Sequence, residues 1–180
     1  MSLLVRSLLL IALLFPAPLL AEETRRPTPT IGAQIEEFGL SDPRGKTWTL
    51  ADFDDNPIVV VVFMGTECPL MKLYAPRLAN MATEFADHGV AFVGINSNQQ
   101  DGLSEIANYA RVHKIAFPIL KDPGNRVADQ FGATRTPQVF VLDAQRRVRY
   151  HGSIDDQYHY GIQRQKADHE NGRASCRERV

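Results

Sequence analysis

Cys68 stands in FMGTECPLMKLYAP, residues 63–76, where an apolar run ends, the chain turns, and a helical pattern begins. A thiol at a helix N-terminus meets unpaired backbone N–H groups and the positive end of the helix dipole, both of which favour the thiolate. The thiolate is the nucleophile that attacks a disulfide or an oxidised sulfur, so this spacing suits thiol chemistry. The carboxylate of Glu67 works in the opposite direction. A dithiol enzyme with a Cys-x-x-Cys motif would carry a second cysteine at the fourth position of Cys-Pro-Leu-Met, and that position is Met71. The bland reading of such a cysteine is a small buried hydrophobe, and the strand-to-helix junction weighs against it. A second feature lies in ATRTPQVFVLD, residues 133–143, where Pro137 immediately precedes an apolar run. A cis bond there would expose the preceding backbone to an extended partner; a trans proline would simply open a strand. His151, Asp155, Asp156 and His159 carry hard metal-ligand atoms, but their spacing fits no loop or helix template and reads as a polar loop after the last strand. Copper delivery would need two thiols and a histidine. With no phosphate loop and no Ser-His-Asp order, neither a metal nor a cofactor is assigned.

The elements that must position Cys68 and Pro137 follow from local pattern. Around the turn signal Asp42-Pro43-Arg44-Gly45, Phe38 and Leu40 face Trp48 and Leu50, a short hairpin. Pro57 opens Ile58–Phe63, a β-branched run suited to a central strand buried on both faces. Leu70, Leu73, Leu78, Met81 and Phe85 recur at helical spacing and predict a helix over 69–88, with Pro69 in its first turn and Gly89 past its end. A strand over 90–95, a polar loop over 96–100, a helix carrying Ile106, Tyr109 and Val112, and a strand over 117–120 come next. A short helix over 127–131, a strand over 138–142 and a strand over 148–150 complete the order. Asn96-Ser97-Asn98 and Lys121-Asp122 sit at strand ends, where they either line the thiol's surroundings or act as turn and cap residues. The order is that of an α/β sandwich around a mixed sheet in a single domain. Residues 152–171 supply no apolar helical pattern to cover the sheet, which suggests a C-terminal helix missing from a truncated tail over 161–180.

With 180 residues, 44% hydrophobic and 23% charged, the chain is long enough for one packed domain. Residues 1–21 have a basic start at Arg6, an apolar stretch interrupted by Pro16 and Pro18, and a small residue at Ala21, which is the layout of a signal peptide rather than a membrane anchor. Export to a periplasmic or extracellular space, without stable membrane insertion after cleavage, is therefore expected. Residues 22–34 are polar and proline-bearing, a flexible lead-in. At the other end GRASCRERV, residues 172–180, resembles the translation of sequencing-adapter DNA, which would make Cys176 foreign to the protein. Without both ends Lys+Arg falls from 20 to 16 and Asp+Glu from 21 to 20, a net charge of −4 rather than −1, and nothing steers the protein toward nucleic acid.

Taken together, Cys-Pro after an apolar strand, FPILKD, and RTPQVFVLD before a final hairpin resemble the thioredoxin-like redoxins of the AhpC/TSA and TlpA/ResA group. FGLSDPRGKTWTLADF is similar to their N-terminal extension, and the resemblance covers roughly residues 36–152 of a domain placed at 35–160. GTECPL, GINSNQQD and SIDDQY resemble a branch of exported redoxins with one active-site cysteine. The resemblance implies a thioredoxin-like fold, a central mixed β-sheet flanked by helices, with an N-terminal β-hairpin extension. It implies Cys68 as nucleophile, followed by Pro69, with Pro137 as a cis-proline facing it. Thr66 and nearby N–H groups would stabilise the thiolate, and Thr136 and Pro137, together with Arg135 and Pro69, would position the substrate. The sequence departs from the peroxiredoxin pattern Pro-x-x-x-Thr-x-x-Cys: Thr66 is one place too close and Val61 stands at the proline position. The peroxide-orienting arginine has no direct match, with Arg135 close to its place. The implied activity is thiol–disulfide exchange, with partners among external thiol or disulfide proteins and low-molecular-weight thiols. Alternatives are a one-Cys thiol peroxidase and a non-catalytic thioredoxin-fold binding module.

Overall fold

The β-branched runs become the middle of one sheet. The computed structural model describes residues 31–159 and 162–163. The expected leader, most of the lead-in and the tail from residue 164 onward lie outside the described residues. The strands are β1 (Gly39–Ser41), β2 (Thr47–Thr49), β3 (Ile58–Phe63), β4 (Val90–Asn96), β5 (Ile119–Lys121), β6 (Gln138–Leu142) and β7 (Val148–Gly152), in the order β2-β1-β5-β4-β3-β6-β7. Strands β3, β4 and β5 run parallel, whereas β6 pairs antiparallel with β3, and β1 pairs antiparallel with β5. A separate two-stranded pair joins β8 (Tyr158–His159) and β9 (Ile162–Gln163). The helices are α1 (Pro69–Ala86), α2 (Leu103–Val112) and α3 (Arg126–Phe131). This is the expected thioredoxin-like α/β architecture, including the N-terminal hairpin, with Leu40 opposite Trp48.

Alternate residues of β3 serve opposite faces, as the pleat requires. Val59, Val61 and Phe63 join Val93, Ile95, Phe140 and Leu142 in one core; Val60 and Val62 join Phe92 and Val141 in the other. The second core is closed by α1 and α2, through Tyr74, Leu78, Ile106 and Tyr109. The first is closed by α3 and by the N-terminal segment, through Phe131, Ile35, Phe38, Leu50 and Phe53. The sheet therefore does not lack a cover among the described residues. Helical patterning alone missed it because much of the cover is a hairpin, a one-turn 3-10 helix over Leu50–Phe53 and a six-residue helix.

Three further expectations change. The buried stripe of α1 is Met71, Tyr74, Ala75 and Leu78, whereas Leu73 is 51% exposed. Leu78, Met81 and Phe85 do pack on the core as their spacing implies, and Met71, Tyr74 and Ala75 fill the place on the first turns that Leu73 was expected to take. Leu50 leaves the hairpin for the 3-10 helix, whose Thr49 cap bonds Asp52. The end of the lead-in is tied down: Gly32 N–H donates to Val148 O at 2.7 Å, Val148 N–H to Ala33 O at 2.9 Å, and Gln34 bridges Arg147 along the edge of β7.

Candidate active site

Cys68 is the N-cap of α1 and Pro69 its first residue, where a missing N–H is of no consequence. The cysteine is half-buried and free. Its Sγ donates to the carbonyl of Thr136 at 3.2 Å, across a separation of 68 residues. The Thr136–Pro137 bond is cis, and Pro137 opens β6 beside β3. Antiparallel pairing of Phe63 with Gln138 brings the two ends together. Three of the residues singled out from the sequence, Cys68, Thr136 and Pro137, thus meet at one point, with Pro69 at the start of the helix behind them.

Thr66 does something else. Its N–H and hydroxyl both donate to Asp101, at 2.9 and 2.7 Å. Asp101 is 1% exposed and also accepts from Asn96 Nδ2 at 2.7 Å and Asn98 Nδ2 at 3.2 Å. Burial pushes its carboxyl up, but the bonds from Asn96, Thr66 and Asn98 outweigh this and hold it below the ordinary range. The hydroxyl proton of Thr66 is therefore spent on Asp101, and Thr66 anchors the Cys68 loop instead of donating to the thiolate. Gly65 completes the loop, since a Cβ there would collide with Asn98 Nδ2. Lys121 Nζ binds the carbonyls of Asn98 and Asp101, the latter at 2.7 Å. Asp122 accepts from Ser97 Oγ at 2.9 Å and from the backbone of Val127 and Ala128 at the start of α3. Asn96 and Asp122, both buried, and the half-buried Ser97, Asn98 and Lys121 thus form a hydrogen-bonded support around the loop. Asp101, the hub, was missed; its signal in the sequence was an acid at the end of a polar strand-end cluster.

Arg135 is exposed and makes no bond to Cys68. It lines, with Thr136, Phe63, Ile95, Ser97 and Asn125, a cleft of about 440 Å³. Asp155 is buried against α1, accepting from Tyr74 Oη, from Arg77 at 2.5 Å and from Gln157 N at 2.8 Å. The polar loop after β7 thus packs on α1. Among the described residues no three His, Cys, Asp or Glu side chains converge on a point where a metal would sit. Tyr109, counted from the sequence only as a core position of α2, lies in the same packed cluster as Cys68. Its hydroxyl is buried with no hydrogen-bond partner. Burial pushes that hydroxyl far above its ordinary value, and the charge of Cys68 pushes it the same way.

A half-buried thiol at a helix N-terminus, held against the carbonyl that precedes a cis-proline in a thioredoxin-like fold, defines a redoxin-class site. The family model of the AhpC/TSA family matches residues 31–151, and the chain belongs to that family. Thiol-disulfide oxidoreductase ResA of Bacillus subtilis is 29% identical over 119 residues, 65% of this chain and 64% of the relative. Chloroplastic peroxiredoxin Q of Populus jackii is 30% identical over 119 residues, 62% of this chain and 54% of the relative. The match thus spans about half to two thirds of the length of these curated relatives. Among solved structures, a hypothetical protein of Sinorhizobium meliloti 1021 superposes with a TM-score of 0.73 at 32% identity, covering 83% of this chain and 82% of the other.

Proposed function

We propose that the protein is an exported thiol–disulfide oxidoreductase acting through the single nucleophile Cys68. The observation that carries this reading is the contact of Cys68 Sγ with Thr136 O beside the cis-proline. The thiolate attacks one sulfur of a substrate disulfide; that S–S bond breaks as the mixed disulfide forms, and the departing sulfur leaves as a thiolate that takes up a proton. Thr136 and Pro137 face an extended substrate backbone there, as β6 begins. Met71 is a core residue, 0% exposed, so the mixed disulfide is resolved by a thiol from outside the described residues. That external thiol displaces Cys68, and a second one completes the exchange: the substrate gains two electrons and the external pair becomes a disulfide. Similarity to ResA supports this chemistry. Export rests on the leader at residues 1–21, and among the described residues no helix is long and apolar enough to cross a membrane.

A second reading is peroxide reduction, which the similarity to peroxiredoxin Q favours. Cys68 would take one peroxide oxygen as a sulfenic acid, releasing an alcohol or water, and two external thiols would return it to the thiol with loss of water. Two measurements decide between the readings. Cys68→Ser abolishes disulfide exchange if the first holds, and stopped-flow mixing with peroxide shows consumption far faster than a free thiol's only if the second does. A Cys68 that resists alkylation in the folded protein would refute both and leave a binding module.

A further inference from the structure

The bond from Cys68 Sγ to Thr136 O exists only while sulfur carries its proton, because a carbonyl oxygen accepts and does not donate. Once the proton leaves, the contact sets a negative sulfur against the partial negative charge of a carbonyl oxygen, and a side-chain donor would add to what the N–H groups at the start of α1 supply. Around it, the Thr66 hydroxyl is held by Asp101 and the Tyr74 hydroxyl by Asp155. Tyr109 Oη alone among these three hydroxyls is unpartnered, on a side chain that is 6% exposed, within the apolar cluster against which Cys68 packs. A buried hydroxyl left without a bond is unfavourable, and such a group in a native core calls for a reason.

We propose that Tyr109 is the hydrogen-bond donor of the reacting state: when Cys68 ionises, its sulfur leaves Thr136 O and accepts from Tyr109 Oη. The inference rests on Cys68 being the nucleophile of the function proposed above. The upward push that burial and Cys68 exert on the tyrosine keeps it protonated, and so a donor, throughout the neutral range. Other titratable groups around the thiol do not offer this. Glu67 and Lys72 pair with each other at 3.8 Å on the exposed side, and Asp101 accepts from Thr66. Arg135 is exposed on the loop before β6, and His113, just past the C-terminus of α2, lies against the ring of Tyr109 at 4.3 Å between centroids. In the structure with the thiol protonated, Tyr109 Oη has nothing to bond; the thiolate gives it a partner, which links proton loss at Cys68 to satisfaction of the core.

The test is Tyr109→Phe, with iodoacetamide alkylation of Cys68 followed by mass spectrometry across pH. Alkylation at neutral pH is expected to slow about tenfold, with its pH profile displaced upward, because a thiolate loses a charge-assisted hydrogen bond. Tm should be unchanged or higher, since no partner is orphaned. Tyr109→Leu should show the same loss of reactivity together with a lower Tm from the vacated ring volume. Wild-type alkylation profiles in Tyr109→Phe would overturn the inference while leaving Cys68 as nucleophile. A wild-type protein whose Cys68 does not react at all would instead overturn the functional reading beneath it.

Discussion

Removing Asp101 should loosen the loop that presents Cys68, and its two simplest substitutions should do so by different amounts. Asp101 Oδ2 receives Thr66 N–H, Asn96 Nδ2 and Asn98 Nδ2, and Oδ1 receives the Thr66 hydroxyl, at 2.7 to 3.2 Å. In Asp101→Ala these donors lose their acceptor, and Thr66 and Asn96, buried at 8% and 1% exposure, have little access to water in compensation. Each buried donor left unsatisfied is unfavourable by about 1–3 kcal/mol, and because such losses are not additive the net should be roughly 3–5 kcal/mol. In Asp101→Asn the amide oxygen can take the place of Oδ2, and the Thr66 hydroxyl can turn to accept from the new NH2. What is lost is chiefly the charge assistance, about 1–2 kcal/mol. At roughly 4 °C per kcal/mol for a domain of this size, Tm should fall by about 12–20 °C in the alanine variant and about 4–8 °C in the asparagine variant. The wild-type carboxyl titrates below its unfolded value. Its contribution is therefore complete above the ordinary aspartate range and is lost as pH falls through the lower folded value. The gap between wild type and Asp101→Asn should be constant from pH 5 to 8 and narrow below about pH 4. Calorimetric melting of the three proteins across pH, with hydrogen exchange at the Thr66 amide, measures this. Two variants of equal stability, or an alanine variant within about 1 kcal/mol of wild type, would refute the claim that Asp101 anchors the loop through these bonds.

Two further outcomes are expected. Met71→Cys places a second sulfur one helical turn from Cys68, within reach of a disulfide. Mild oxidation should give an intramolecular bond, read as a mass lower by two hydrogens and the loss of both alkylatable thiols. In the reduced state the lost methionine volume should destabilise by about 1–3 kcal/mol, and two thiols that stay alkylatable after oxidation would show that the core holds them apart. In β4, a Cβ on Gly94 would stand 2.5 Å from Met64 Sδ and 3.2 Å from Ile119 Cγ1. Gly94→Ala should therefore destabilise by about 1–3 kcal/mol. Met64→Ala should relieve part of this in a double-mutant cycle, and strictly additive effects by chemical denaturation would count against that contact.

Much of the fold was legible because its signals are local. Ile58–Phe63 announces a central strand through its β-branched run, Pro69 and Gly89 bracket α1, and Asp42-Pro43-Arg44-Gly45 makes a turn whatever surrounds it. The place of Cys68 at the junction of β3 and α1 follows from the same local pattern. In the stripe of α1, Leu78, Met81 and Phe85 pack as their spacing implies, but Leu73 is exposed while Tyr74 and Ala75 are buried, because leucine, tyrosine and alanine are equally able to face a core and spacing alone does not rank them.

The sequence by itself determined the order of elements and the position of one thiol on them. Only the tertiary structure decided what surrounds that thiol. Thr66, two residues away, is committed to an acid 35 positions along the chain; Asp155 reaches back 81 positions to Tyr74; and Tyr109 comes from a different helix into the cluster beside Cys68. Periodicity reports which face of an element is apolar, a property of neighbours three or four residues apart. Which donor meets which acceptor depends on strand register and helix packing between distant segments, and those are fixed only when the whole sheet has formed.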